Sequence, residues 1–268
     1  MRDTRYRATR ESRPDARSLR AALGMGASEI VAIVGGGGKT TILYRLGDET
    51  VAAGGCAIVT GTTRFTPRED AAQSPAVFAE SEQVLLTGLR TALGEAPLVV
   101  AGAGWGNKGR IMPVGALWLA AMARLPRVTA VIAEADGSAG RPFKAPAEHE
   151  PVVAPSTTLL VTVVGIDVLG KPLTAEKVHR PEIVANLAGV ELGTPVDAGI
   201  IARVLLHPLG GCKGMPSGAR WAPVLNKVES ERDCAAARGI AVLLLAGGAE
   251  RVVLAHAAHD SPVQEVLA

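Results

Sequence analysis

The stretch from Val31 to Thr41 reads Val-Ala-Ile-Val-Gly-Gly-Gly-Gly-Lys-Thr-Thr, an apolar run followed by four glycines and Lys-Thr-Thr. An apolar run followed by glycines and then by the start of a helix is typical of a phosphate-binding loop. Glycines let consecutive backbone amides form one concavity, and the helix adds its positive end. Lys39 supplies a charge for terminal phosphates, and Thr40 is placed to ligate Mg²⁺. We expect nucleotide binding by Gly35, Gly36, Gly37, Gly38, Lys39, Thr40 and Thr41.

The glycine stretch departs from the full phosphate-loop pattern G-x-x-x-x-G-K-[ST], because Ile33 stands where the first glycine would fall. The short spacing resembles the compact loops of Mur-type peptide ligases. A dinucleotide-binding turn and a purely structural turn are the alternatives. Thr40 is bulky where the dinucleotide turn needs Gly or Ala, and residues 60–62 offer no carboxylate for a ribose. Phosphate binding is therefore the favoured interpretation.

Composition predicts a soluble α/β protein. The chain has 268 residues and is 48% hydrophobic, enough for one large domain. Its apolar stretches are shorter than the ~18 residues that span a bilayer, and the start lacks an apolar signal segment. We expect no membrane association and a cytoplasmic location. The three cysteines are scattered and odd in number, which argues against a disulfide framework.

The positive charge is concentrated at the start of the chain. Residues 1–20 carry seven arginines and three acids, a net +4, whereas the whole chain has a net charge of +2. We expect residues 1–27 to be a basic, disordered tail and residues 28–268 to be a single domain with a C-terminal extension of the sheet. Aromatic residues make up 3% of the chain, so stacking platforms for nucleic-acid bases are disfavoured.

Apolar runs alternate with helical spacing along the chain. Uninterrupted apolar strands separated by helices predict a doubly wound, mostly parallel sheet flanked by helices, resembling P-loop NTPases. Strands are predicted at 29–34, 57–60, 97–101, 128–133, 159–164, 222–225 and 251–255. Helices are predicted at 18–23, 40–51, 82–93, 114–124, 195–206 and 230–245. Residues 61–80 are predicted to be a loop, and 104–109 a flexible lid in which Lys108 and Arg110 contact anions.

Acidic residues follow the predicted strand 128–133. In a doubly wound sheet, ligands lie beyond the carboxyl ends of the strands, so Glu134 and Asp136 should face the glycine loop. Alternation puts both on one side of the backbone, and a hard cation that bridges phosphates needs one or two carboxylates. We predict that Thr40, Glu134 and Asp136 hold Mg²⁺. Solvated acids at a strand end are the alternative.

The next segment, residues 140–151, is extended and rich in proline and charge. Arg141 and Lys144 suit a phosphate or a substrate carboxylate, and we count them, with Lys39, Glu134 and Asp136, as candidate catalytic residues. Glu148, His149 and Glu150 could bind a metal or transfer a proton. A single histidine is little support for a metal site.

Two further segments follow predicted strands. Thr62 and Thr63 offer hydroxyls, beside Arg64, for phosphate or an attacking water; an ordinary threonine-rich turn is the alternative. Asn226, Lys227 and Glu229 resemble the N-K-x-D purine-reading element of GTPases, with glutamate replacing aspartate. ATP and GTP therefore both remain open.

Six stretches together resemble the YqeC family, described as accessory proteins of selenium-dependent hydroxylases: residues 34–41, 134–137, 141–151, 164–172, 178–182 and 225–229. The resemblance runs from about residue 28 onward, and residues 134–151 are its most specific part. It implies a nucleotide-dependent role in maturing molybdenum-containing hydroxylases, with the hydroxylase or its cofactor as a partner. The residues themselves indicate phosphate and Mg²⁺, and nothing about selenium.

Three functional hypotheses follow. The first is an NTPase that uses ATP or GTP with Mg²⁺. The second is a kinase-like or Mur-like enzyme that transfers a phosphoryl group to a substrate held by Arg141 and Lys144. The third is a non-catalytic protein that binds a molybdopterin dinucleotide. The polar positions Asp167, Lys171, His179 and Arg180 would line the substrate side of the cleft or serve as ordinary loop residues.

Overall fold

A computed structural model of the chain describes residues 18–68 and 74–268. Its strands, in chain order, are β1 (Glu29–Gly35), β2 (Cys56–Gly61), β3 (Ala76–Phe78), β4 (Leu98–Gly102), β5 (Gly104–Trp105), β6 (Ile111–Met112), β7 (Val128–Glu134), β8 (Phe143–Lys144), β9 (Leu159–Gly165), β10 (Val178–His179), β11 (Arg220–Asn226), β12 (Val252–Ala255) and β13 (Val263–Leu267). Its α-helices are α1 (Leu19–Ala22), α2 (Lys39–Ala52), α3 (Glu82–Glu95), α4 (Leu119–Ala123), α5 (Pro181–Ala188), α6 (Ala198–Leu206) and α7 (Glu231–Ala246).

Nine of these strands form one sheet, in the order β13-β12-β11-β9-β1-β7-β2-β4-β3. All neighbouring pairs are parallel except β12 and β13. The prediction of an α/β fold with a mostly parallel sheet and flanking helices is confirmed. The strand β1, which leads into the glycine loop, lies in the middle of the sheet between β7 and β9.

Alternating residues of the sheet bury two apolar faces. On one face, Val31 and Ile33 of β1 belong to the same core cluster as Ile42 and Leu46 of α2. On the other face, Ile30 clusters with residues of α3 and α4. The helices α5, α6 and α7 form a further cluster with β11 and β12. This burial on both faces explains why the central strands are apolar without interruption.

The strand registers bring the carboxyl ends of β2, β7, β9 and β11 to the same edge of the sheet as the glycine loop after β1. Glu134 at the end of β7 is level with Ile33 of β1 and Gly61 of β2. Gly165 at the end of β9 is level with Asn226 at the end of β11. The carboxyl ends of these strands therefore surround the glycine loop, as expected for a parallel sheet.

Several predicted elements need correction. The predicted loop 61–80 contains β3, and the predicted helix 114–124 is a 3₁₀ turn at Ala116–Trp118 followed by the short α4. The helix predicted from residue 195 begins at Ala198, because Asp197 caps its first turn. The predicted lid is a small hairpin of β5 and β6. The helix α5 and the antiparallel edge strand β13 were not predicted.

The predicted tail of residues 1–27 extends too far toward the C-terminus. Leu19 and Leu23 are buried in the main core cluster, so the folded part already includes residues 18–27. The arginine-rich residues 1–17 lie outside the described residues. Within the described ranges, no helix combines the length and apolar character that a membrane crossing requires.

Candidate functional site

The glycine loop joins β1 to α2 and is covered by the segment 137–151. A Cβ at Gly36 would lie 2.5 Å from the Arg141 carbonyl oxygen, so a larger residue could not fit there. The amides of Gly36 and Gly37 donate hydrogen bonds to the carbonyls of Val163 and Arg141, at 2.9 and 3.1 Å. These two amides are therefore used within the protein, and any contact of Gly36 or Gly37 with a nucleotide would have to be made by other backbone atoms.

Backbone amides without a hydrogen-bond acceptor in the described residues begin at Gly38. The φ of +117° at this residue favours glycine. The amides of Gly38, Lys39, Thr40 and Thr41 have no hydrogen-bond partner within residues 18–68 and 74–268. The helices α3, α6 and α7 are capped by Ser81, Asp197 and Ser230, whereas α2 begins without a side-chain cap. The start of α2 thus leaves amides and the positive end of the helix dipole for an anion.

Lys39 lies against both predicted acidic residues. Its ammonium donates to the Gly35 carbonyl at 2.8 Å and is 3.7 Å from Glu134 Oε1 and 3.4 Å from Asp136 Oδ1. The Thr40 hydroxyl donates to Glu134 Oε2 at 2.9 Å. Asp136 also accepts a hydrogen bond from the Gly35 amide, at 3.0 Å. The structure therefore brings Lys39, Thr40, Glu134 and Asp136 together at the glycine loop, as the sequence predicted.

Burial controls the protonation of the Glu134 carboxyl. Desolvation raises the pKa of Glu134, and the charge of Asp136 raises it further, whereas Lys39 and the Thr40 hydroxyl oppose the shift. Asp136 Oδ1 is buried and makes no hydrogen bond with the described residues, although it lies near the Lys39 ammonium. A cation at this position would stabilise both ionised carboxylates.

Lys144, which the sequence predicted to contact a phosphate or a substrate carboxylate, is buried and paired within the protein. Its side chain is 1% exposed and donates to the Gly137 carbonyl at 2.7 Å and to Glu150 Oε2 at 2.6 Å, and it is 2.9 Å from Asp136 Oδ2. These contacts saturate the ammonium. In this arrangement Lys144 holds Asp136 in place and joins the 137–151 segment to the site.

Glu150 extends the ionic network to Arg180, which precedes α5. Burial alone would raise the pKa of Glu150, but hydrogen bonds from Arg180 and Lys144 outweigh it and hold the pKa at about 2. Burial and the charges of Arg180 and Lys144 lower the pKa of His179, which pairs with Lys144 across β10 and β8. Arg180 and His179, whose role the sequence left open, thus belong to this network.

The Arg141 side chain and the Glu148–His149 pair make no hydrogen bond or ion pair with the other predicted site residues in the described ranges, although the Arg141 carbonyl accepts a hydrogen bond from the Gly37 amide. The Arg141 guanidinium donates to the carbonyls of Ala139 and Ala175 at the surface. Glu148 and His149 are exposed, and Glu150 is already paired. Across residues 18–68 and 74–268, no cluster of three or more His, Cys, Asp or Glu residues could hold a metal. A metal at Glu134 and Asp136 would need the Thr40 hydroxyl and ligand oxygens as well.

The two threonines after β2 hold backbone next to Glu134. The Thr62 hydroxyl donates to the carbonyl of Val152 at 2.6 Å, directly after the 137–151 segment. The Thr63 hydroxyl donates to the Glu134 carbonyl at 3.4 Å, and both threonine amides point to the same carbonyl. Thr62 is therefore a positioning residue, and Thr63 lies at the edge of the site.

Asn226 connects the glycine loop to the end of β12. Its amide nitrogen donates to the Gly37 carbonyl at 2.8 Å, and its oxygen accepts from the Ala257 amide at 2.9 Å. Lys227 pairs with Asp167 at 2.8 Å, and Glu229 lies 3.0 Å from His256 Nε2. The sequence analysis missed His256, although its position directly after the predicted strand 251–255 is the kind of place where ligands bind.

The hairpin of β5 and β6 lies beside the same edge. The Val114 amide donates to the Gly61 carbonyl at 3.0 Å, and Ile111 bridges to Phe65. Arg110 is exposed, and its charge acts on Glu134 to lower the pKa of that carboxyl. Lys108 is exposed at the hairpin tip.

The fold and the site together define an α/β protein whose glycine loop, helix N-terminus and buried lysine–carboxylate cluster meet at the carboxyl edge of a mostly parallel sheet. The family model described as YqeC protein matches residues 31–182. The chain is 30% identical over 200 residues to the uncharacterized protein YqeC of Escherichia coli (strain K12), covering 74% of this chain and 75% of that protein. The chain belongs to the YqeC family, as the sequence resemblance indicated.

Proposed function

We propose that the protein binds a nucleoside triphosphate with Mg²⁺ at the glycine loop and hydrolyses it. The observation that carries this proposal is the position of Lys39, within 4 Å of two buried carboxylates on the neighbouring strand and next to the free amides at the start of α2. An ammonium, amides at a helix N-terminus and paired carboxylates are the groups that a metal–phosphate complex requires. This combination, on a parallel sheet, supports a P-loop NTPase.

Each residue has a separate role in this proposal. The amides of Gly38 to Thr41 bind the phosphate oxygens, and Lys39 exchanges the Gly35 carbonyl for the terminal phosphates. Thr40, Glu134 and Asp136 would hold Mg²⁺, and Asp136 Oδ1, which accepts no hydrogen bond within the described residues, supports that fit. A Mg²⁺ ion held by these residues would supply positive charge to offset the charge on the transferring phosphate oxygens. In hydrolysis, a water oxygen forms a bond to the γ-phosphorus while the bond from that phosphorus to the β,γ-bridging oxygen breaks. The attacking water loses a proton to solvent, and inorganic phosphate and the nucleoside diphosphate are released.

The family resemblance suggests which process the proposed hydrolysis serves. We propose that hydrolysis serves the maturation of a molybdenum-containing hydroxylase, with that enzyme or its cofactor as the partner. The geometry of the site supports the phosphate chemistry, and the resemblance supports the partner.

Calorimetric titration with ATP and GTP, with and without Mg²⁺, tests the proposal. We expect binding that strengthens about 10-fold or more with Mg²⁺, because the metal pairs with both protein and phosphate oxygens. Thr40→Ala removes one metal ligand while leaving the buried charges paired, so it should lose the Mg²⁺-dependent gain. Thr87→Ala, at an exposed threonine of α3, is the matched control. Absence of triphosphate binding in the wild type, or an unchanged Mg²⁺ effect in Thr40→Ala, would contradict the proposal.

Phosphate release measured on the same protein separates the proposed NTPase from the two other hypotheses. Steady release from GTP or ATP alone supports hydrolysis. Release that begins when a co-substrate is added identifies phosphoryl transfer. Tight binding of a dinucleotide without turnover identifies a cofactor-binding protein.

A further inference from the structure

A cavity of about 500 Å³ opens beside the start of α2. Gly38 and Thr41 form its near wall, and Asn226, Glu229, His256 and Ala258 contribute to the far wall. Its volume lies in the range of small-molecule sites. It adjoins the free amides of the glycine loop, yet neither the 137–151 segment nor the acidic pair at Lys39 lines it.

Building on the proposed triphosphate site, we propose that this cavity is the nucleoside subsite and that it prefers guanine to adenine. A triphosphate held at Gly38 to Thr41 has its nucleoside attached at one end. The cavity begins at these residues and is large enough to receive a ribose and a purine.

The glycine loop and the far wall are rigidly connected. Asn226 is 4% exposed, and its side-chain amide bonds to the Gly37 carbonyl on one side and to the Ala257 amide on the other. Because both hydrogen bonds are made within the protein, Asn226 fixes the distance between the glycine loop and the far wall of the cavity. The base must then be read by the neighbouring charged residues.

The chemistry of the wall favours a base with several hydrogen-bond donors. Three carboxylates line the cavity: Asp167, Glu229 and Asp233. In each, one oxygen bonds within the protein, to Lys227, His256 and Ser230 respectively, and the second has no hydrogen-bond partner among the described residues. Carboxylate oxygens accept hydrogen bonds only.

Guanine presents two adjacent donors, N1–H and the 2-amino group, whereas adenine presents an acceptor at N1 beside its 6-amino donor. The Glu229 carboxylate can accept from both guanine donors while His256 holds its other side. The Lys227 ammonium supplies a donor for the O6 oxygen of guanine. Since the Glu229 side chain is 65% exposed, water weakens these contacts, and the expected preference is about 10-fold.

Titration with four probes in the presence of Mg²⁺ tests the inference: tripolyphosphate, GTP, ITP and ATP. The wild type should bind GTP about 10-fold more tightly than ATP, which has an acceptor at N1, and ITP with an affinity between the two, because ITP keeps N1–H but lacks the 2-amino group. Glu229→Gln should remove most of this preference and leave tripolyphosphate binding unchanged. Glu231→Gln, a nearby exposed carboxylate outside the cavity, is the matched control and should retain the preference.

The outcomes separate this inference from the proposed function. Equal affinity for GTP, ITP and ATP, with tripolyphosphate still binding, would overturn the guanine subsite and leave the phosphate site standing. A GTP preference that survives in Glu229→Gln would also overturn it. Failure of tripolyphosphate and all three nucleotides to bind would refute the proposed function itself.

Discussion

Replacement of Lys144 by methionine should destabilise the fold severely. The Lys144 ammonium contacts the buried Asp136 and the partly buried Glu150 at 2.9 and 2.6 Å, and it is itself buried. Methionine fills a similar volume, so the main effect is the loss of the cation from two buried carboxylates. Removing one partner of a buried ion pair costs about 3–5 kcal/mol. At about 2–4 °C per kcal/mol for a domain of this size, the melting temperature should fall by about 6–20 °C.

Thermal unfolding followed by circular dichroism measures this change. Lys171→Met removes an exposed lysine with no side-chain hydrogen bond in the described part of the chain and should shift the melting temperature little. A double-mutant cycle with Glu150→Gln should give a coupling free energy of about 1–3 kcal/mol. If Lys144→Met melts like the wild type but binds nucleotide poorly, Lys144 contacts a ligand and the structural role assigned to it is wrong.

Two further predictions concern the same edge of the sheet. The pKa of Glu150 is held at about 2, below its usual 4.5, so its ionic contacts stabilise the fold above about pH 4.5 and this contribution is lost as the pH falls toward 2. Glu150→Gln should therefore lower the free energy of unfolding by about 2 kcal/mol at neutral pH, with a difference that shrinks in acid; a pH-independent difference in urea unfolding would contradict the assigned ionic contact. Gly38→Ala should destabilise by about 1–3 kcal/mol, because φ is +117° and the new Cβ would lie 2.3 Å from the Asn226 amide. Gly239→Ala in α7, where a Cβ meets nothing within 4 Å, should be neutral or stabilising, and equal effects at the two glycines would refute the strain argument.

The sequence predicted the central strands and α2 because their signals are local. The apolar run before Gly35 and the helical spacing after Thr40 need no distant partner to be recognised. The helix α5 carries Pro181 at its start and Gly189 at its end, signals that were present but overlooked. The edge strand β13 alternates exposed and half-buried residues, so its assignment depends on pairing with β12.

The candidate site was predictable in part for the same reason. Glu134 and Asp136 could be assigned to the glycine loop because parallel strands end at a common edge. The burial of Lys144 could not be predicted from the sequence, because a lysine in a proline-rich segment is normally exposed. Its partners Asp136 and Glu150 are brought together only in the folded chain. The loss of the Gly36 and Gly37 amides to Val163 and Arg141 likewise depends on tertiary packing.

The most direct test of the central claim is a crystal structure of the protein with Mn²⁺ in place of Mg²⁺ and a non-hydrolysable analogue of GTP. We expect phosphate density at the amides of Gly38 to Thr41 and an anomalous metal peak between Thr40 and the carboxylates of Glu134 and Asp136. Phosphates bound elsewhere, or Lys39 still paired with the Gly35 carbonyl while the nucleotide occupies another surface, would contradict it.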